Sequence, residues 1–89
     1  MNLYFIHCGF YDEEISEGLY EFHVNIPVAA ENLEEAKKKV RLEPAFVQKR
    51  MHIDGIQELK SVSGYRIVLT LDAQASEQTQ VTHHLHRDL

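Results

Sequence analysis

Three histidines and an aspartate occupy positions from which they could bind a metal ion together. His52 and Asp54 are two residues apart in an extended segment, so their side chains should share one strand face, with Cα atoms about 6–7 Å apart. His7 and His23 fall in two other strand-like segments that could be neighbours. Zinc takes histidine, cysteine and carboxylate ligands in tetrahedral sets. We nevertheless predict a polar strand face with His–Asp hydrogen bonds and no metal, and keep His7, His23, His52 and Asp54 as candidate ligands for the alternative.

A second group of histidines lies near the end of the chain. His83, His84 and His86 precede Asp88, and a histidine-rich tract is a compositional indication of metal binding. A mobile tail loses conformational entropy when it orders around an ion, which lowers its affinity. We therefore predict no metal at this tract, and the sequence as a whole predicts no bound cofactor.

Cys8 is the only cysteine, so no disulfide can form within the chain. This favours a reducing compartment, and we expect a cytoplasmic location. Its neighbour His7 cannot activate it, because adjacent residues on a strand point to opposite faces. Cys8 is therefore predicted to be a buried structural thiol, and no catalytic residue is predicted.

Length and charge limit the class of protein further. Eighty-nine residues form one small domain with a net charge of −5, which argues against nucleic acid as the main partner. The sequence contains no run of about 18 apolar residues, so no membrane span is predicted. Acidic groups dominate residues 1–36, whereas basic groups dominate residues 37–50. The change of sign falls inside a predicted helix, where it complements the helix dipole.

Hydrophobic periodicity predicts four strands and one helix. Residues 2–10 have apolar side chains at both odd and even positions, as in a central strand with both faces covered. In residues 19–29, apolar and polar side chains alternate. Asn32 is a good N-cap for a helix that ends before Pro44. Residues 51–62 are extended with a bulge at Gly55, and residues 65–71 complete a hairpin. Residues 72–89 form a polar tail, predicted to be disordered or weakly helical.

These elements predict an α+β domain over residues 1–71 with the order β-β-α-β-β. A right-handed crossover brings the third strand beside the first, so the four-stranded antiparallel sheet would run 2-1-3-4 with one helix on one face. One helix leaves the other face uncovered. We therefore predict a homodimer that buries this face between two copies, unless the tail covers it instead.

Four segments together resemble a known family over about residues 1–71. They are MNLYFIHCG, YEFHVNIPVAAENLEEA, MHIDGIQEL and SGYRIVL, and they resemble the small bacterial family called domain of unknown function 1543. The resemblance implies an α+β module and pairing of modules. It implies no activity and no catalytic residue. Two features depart from the family pattern: Cys8-Gly9-Phe10 replaces a glycine pair, and Phe46 takes the place of a tryptophan.

The leading functional hypothesis is a homodimeric structural or interaction module without catalysis. One alternative is a zinc-binding protein or small hydrolase that uses the strand histidines. Another is weak binding of RNA or a small ligand on the sheet, where Tyr4, Phe5 and Tyr65 could stack on bases. The sequence identifies no substrate and no protein partner.

Overall fold

The computed structural model describes residues 1–89, with the side chain of Ser16 excepted. The chain forms an antiparallel three-stranded sheet, a separate two-stranded hairpin and short helices. In chain order the elements are β1 (Asn2–Tyr11), α1 (Glu13–Ser16), β2 (Glu21–Ala30), α2 (Leu33–Arg41), α3 (Pro44–Gln48), β3 (His52–Leu59), β4 (Ser61–Val62), β5 (Tyr65–Arg66) and a 3₁₀ turn (His86–Asp88).

β1 is the central strand of the sheet, whose order is β2-β1-β3. It pairs with β2 from Asn2↔Ala30 to Tyr11↔Glu21 and with β3 from Leu3↔Leu59 to Gly9↔His52. The predicted order of the first three strands is therefore confirmed. A central strand loses solvent on both sides, which explains why β1 is apolar on both phases.

The predicted bulge is also present, next to Gly55. His7 pairs with Gly55, whereas the next residue, Cys8, pairs with Ile53. Asp54 is therefore the extra residue on β3. A bulge of this kind redirects side chains and is often found beside functional sites.

The helix α2 covers one face of the sheet, which we call the core face. The Asn32 side chain accepts a hydrogen bond from the Glu35 N–H (2.9 Å), as the N-cap prediction requires. Ala36 and Val40 are fully buried in the core, whose buried members are Tyr4, Ile6, Cys8, Val28, Ala30, Ala36 and Val40. Lys37 and Lys39 form ion pairs with glutamates one turn earlier in α2. Some of the acidic and basic groups on either side of the change of sign therefore neutralise each other within this helix.

Two parts of the predicted fold are wrong. The sheet has three strands rather than four, because the ladder beyond β3 shrinks to two residues on each side of the Ser63–Gly64 turn. Residues 67–71 alternate like a strand yet belong to no ladder. The prediction of a single helix is also wrong, because two short helices accompany α2. Asp12 caps α1, and Pro44, which follows the end of α2, is the first residue of α3.

The longest helix, α2, has nine residues, so no described helix can cross a membrane.

An ion pair joins the acidic and basic halves of the chain. Lys49, just after α3, donates to the Asp12 carboxylate (2.7 Å), and its ammonium also lies 5.8 Å from the centre of the Phe10 ring. Asp12 is the only buried charged residue among those described, at 8 % exposure. The hydrogen bond from Lys49 lowers the pKa of Asp12 and raises that of Lys49.

Because its pKa is lowered on folding, ionised Asp12 stabilises the native state at neutral pH. This contribution is complete above the unfolded pKa of about 3.9 and is lost as the pH falls through the lower folded value. Asp12→Asn keeps a side-chain acceptor for the cap but removes the charge. We expect the variant to melt at a lower temperature than the wild type at pH 7, with the gap closing in acid. Thermal unfolding by circular dichroism from pH 7 to pH 3 measures this gap, and a constant gap would contradict the assignment.

Candidate metal-binding site

The face of the sheet opposite the helices, which we call the open face, carries four convergent polar side chains. Glu21 and His23 come from β2, and His52 and Asp54 come from β3. The strand register brings them together, because Gly9 on the central strand pairs with His23 on one side and His52 on the other. We call these four residues, Glu21, His23, His52 and Asp54, the histidine–carboxylate cluster.

The four side chains form a closed ring of short contacts. His52 Nε2 lies 2.7 Å from Glu21 Oε1 and 3.1 Å from Asp54 Oδ1. His23 Nε2 lies 3.4 Å from Glu21 Oε1 and 3.2 Å from Asp54 Oδ2. Each imidazole therefore faces both carboxylates, and the two oxygens of Asp54 face different histidines.

Gly9 makes this convergence possible. A Cβ atom at this position would lie 2.6 Å from His52 Nε2 and 2.7 Å from Asp54 Oδ2, and would also collide with Glu21 Oε1. The polar atoms therefore occupy the space that any other residue would fill with its side chain. A glycine is required here because these side-chain atoms lie so close to its Cα. Its backbone conformation does not require glycine, since its φ angle is not positive.

His7 lies beside the cluster as a possible additional ligand. Its ring stacks on the His23 ring with centroids 4.9 Å apart and planes 8° apart. Its Nδ1 is hydrogen-bonded to Asn25 Oδ1 (2.8 Å). One ligand atom each from His7, His23 and Asp54 lie within 4.8 Å of one another, as do those of Glu21, His52 and Asp54. The two sets share Asp54, and together they contain the four residues of the cluster and His7.

The cluster is open to solvent and carries negative charge. Its side chains are between 30 and 46 % exposed. Its two carboxylates, Glu21 and Asp54, carry a formal charge of −2, which a divalent cation would neutralise. On the other side of β1, Cys8 is fully buried, and burial, with a smaller effect from Asp54, raises the pKa of its thiol. The prediction that Cys8 is buried is confirmed, and His7 lies on the opposite, open face beside His23.

All four candidates chosen from the sequence lie in or beside this site. Glu21 and Gly9 were missed. Glu21 could have been found, because the alternation of β2 puts it on the same face as His23. Gly9 could not, since its part depends on the register of both neighbouring strands. The tail histidines His83, His84 and His86 are exposed and join none of the sets above.

Two cavities of the protein lie away from the cluster. One of about 280 Å³ lies at the far end of the sheet and is lined by Leu3, Leu59 and Ile67, among others. The other lies between the end of β2, the α2–α3 junction and residues 76–79 of the tail. No cluster residue lines either cavity. The cluster is therefore an exposed binding surface and is not joined to these cavities.

Fold and site together define a small α+β domain whose antiparallel sheet presents histidines and carboxylates on its open face. The sequence profile of the family described as Domain of Unknown Function (DUF1543) matches residues 18–69, more than half of the chain. The chain belongs to this family, as its resemblance predicted. The match spans all four cluster residues but neither His7 nor Gly9. No curated protein and no solved structure matches the chain.

Proposed function

We propose that this protein is a divalent-metal-binding module that holds a zinc ion in the histidine–carboxylate cluster. The observation that carries the proposal is the closed ring of contacts between two imidazole nitrogens and two carboxylates above Gly9. The ion would link β2 to β3 across the central strand. Binding would therefore stabilise the sheet as well as occupy the site.

The spacing of the donor atoms supports a tetrahedral ion. Zinc binds histidine nitrogen and carboxylate oxygen at about 2.0–2.2 Å, which places neighbouring ligand atoms about 3.3 Å apart in a tetrahedron. The four contacts within the ring run from 2.7 to 3.4 Å. The ring passes through both oxygens of Asp54, so a tetrahedral ion would require Asp54 to turn one oxygen towards both histidines.

The chemistry of the ligands supports zinc over the harder cations. Magnesium and calcium prefer all-oxygen ligand sets, whereas two imidazoles beside two carboxylates suit zinc and its transition-metal neighbours. The charge of the two carboxylates balances that of the ion. The same negative charge on the open face disfavours RNA, whose phosphates would meet Glu21 and Asp54.

The proposal predicts one zinc ion per chain in protein purified without a histidine tag. Equilibrium dialysis followed by elemental analysis measures this stoichiometry. The exposed tail histidines could bind zinc on their own, so a triple variant of His83, His84 and His86 to alanine serves as the control. It should retain its zinc. Absence of bound zinc, or loss of all zinc in the tail variant, would contradict the proposal.

A homodimer through the open face is the second candidate, as an interaction module without catalysis. Its support is the apolar half of that face, where Leu3, Phe5, Pro27 and Leu59 are partly exposed. Pairing over the whole face would also bury the carboxylates of the cluster, which is costly unless they are neutralised. The interface would therefore use the apolar half, or form in the zinc-loaded protein.

A further inference from the structure

The two sets of possible metal ligands on the open face share one residue, Asp54. One set is Glu21, His52 and Asp54, the other is His7, His23 and Asp54, and within each set the ligand atoms lie within 4.8 Å of one another. The oxygens of Asp54 are divided between the sets, because Oδ1 lies 3.1 Å from His52 Nε2 and Oδ2 lies 3.2 Å from His23 Nε2. A carboxylate in this arrangement can bridge two metal ions, with one oxygen bound to each.

The bulge in β3 places Asp54 between the two sets. Asp54 is the extra residue of this strand, and Gly55, which follows it, pairs with His7 on the central strand. A bulge redirects the side chain of the extra residue. Asp54 therefore lies close to His7 and His23 while it keeps its contact with His52, two residues earlier on β3.

His7 already has the hydrogen bond that metal-binding histidines make. Its Nδ1 lies 2.8 Å from Asn25 Oδ1. This oxygen can only accept, so the proton is on Nδ1 and the lone pair that binds a metal is on Nε2. Histidine ligands almost always donate their other N–H to such an acceptor. The single ion of the histidine–carboxylate cluster does not use this histidine.

We propose that the open face binds a second zinc ion through His7, His23 and Asp54, so that Asp54 bridges two ions. The proposal rests on the proposed function, because the first ion must already be bound. In the two-ion form the first ion keeps Glu21, His52 and Asp54 Oδ1, and His23 binds the second ion. Asp54 then keeps both oxygens directed as they are. Each ion has three protein ligands and a fourth position for water.

The second ion binds more weakly than the first, for two reasons. The ring planes of His7 and His23 are 8° from parallel, so the rings must tilt towards each other to share an ion. Two zinc ions also bring four positive charges to two carboxylates, an excess that is reduced when an ion-bound water loses its proton. Protein with up to one equivalent of zinc therefore holds the single ion described above, and the second ion enters in excess zinc.

Zinc titration of the triple tail variant, with His83, His84 and His86 replaced by alanine, tests the proposal without zinc bound by the tail. We expect two zinc ions per chain in excess zinc. With His7→Ala added, we expect one ion, bound about as tightly as the first ion of the parent. X-ray absorption at the zinc edge of the two-ion form should show a zinc–zinc distance of about 3.5–4 Å.

A second pair of variants separates the role of His7 as a ligand from a general effect of changing the strand face. Asn25→Leu removes the acceptor of the His7 Nδ1–H but no ligand, so it should weaken the second ion by about 10–100-fold and leave the first unchanged. Asn25→Asp keeps an acceptor at this position and is the matched control. It should retain both ions.

Three results would overturn the second site. One zinc ion per chain in excess zinc would mean that the single-ion site is alone. Two ions in both the parent and its His7→Ala variant would place the second ion elsewhere. Two ions without a zinc–zinc distance below about 4 Å would mean that Asp54 does not bridge them. Absence of any bound zinc would instead refute the proposed function itself, and this proposal with it.

Discussion

Replacing His52 with alanine is expected to raise the dissociation constant for zinc by about 100-fold or more. Even residues that only support metal ligands cost 10–100-fold when removed, and His52 makes the shortest contact of the cluster, 2.7 Å to Glu21. Zinc in 100-fold excess over its dissociation constant should stabilise the wild type by about 2.7 kcal/mol. For a domain of this size that raises the melting temperature by about 10–20 °C.

The same zinc concentration should shift the melting temperature of His52→Ala far less. Calorimetric titration and thermal unfolding with and without zinc measure both effects. His84→Ala is the matched control, since it removes an exposed histidine outside the cluster and should behave like the wild type. Equal zinc affinity in His52→Ala and the wild type would show that His52 is not a zinc ligand.

Gly9→Ala is expected to weaken zinc binding although it removes no ligand. The new Cβ would occupy the space of the His52 and Asp54 ligand atoms and push them apart. These atoms are the ends of flexible side chains, so the fold should persist while the donor geometry is lost. We expect zinc affinity to fall by at least about tenfold, in the range seen when the support of a metal site is disturbed.

Gly55→Ala provides the control for this substitution. Gly55 lies on β3 beside Asp54, but a Cβ there would meet no atom within 4 Å. Zinc titrations of both variants therefore separate a steric effect on the cluster from a general effect of glycine replacement in the sheet. Equal affinities in the two variants would show that Gly9 does not shape the site.

Much of the core was predictable because its signals are local. Apolar residues on both phases of β1 reflect its central place, Asn32 caps α2 through its own side chain, and Gly55 lies at the bulge. The cluster was predictable in part for the same reason. His52 and Asp54 share a face by local spacing, whereas the distance from either to His23 depends on two strand registers.

The errors arise where pairing is decided by distant parts of the chain. Residues 65–71 alternate as a strand should, yet only Tyr65 and Arg66 enter a ladder. Alternation shows that a segment can pair but not where its partner lies. The short helices α1 and α3 were missed because four or five residues are too few to show a helical period.

Zinc-edge anomalous diffraction from crystals of the zinc-loaded protein tests the metal proposal most directly. We predict a single strong anomalous peak above Gly9, with Nε2 of His23, Nε2 of His52 and carboxylate oxygens of Glu21 and Asp54 at about 2.0–2.2 Å. A peak at His83, His84 and His86 of the tail, with none above Gly9, would contradict it.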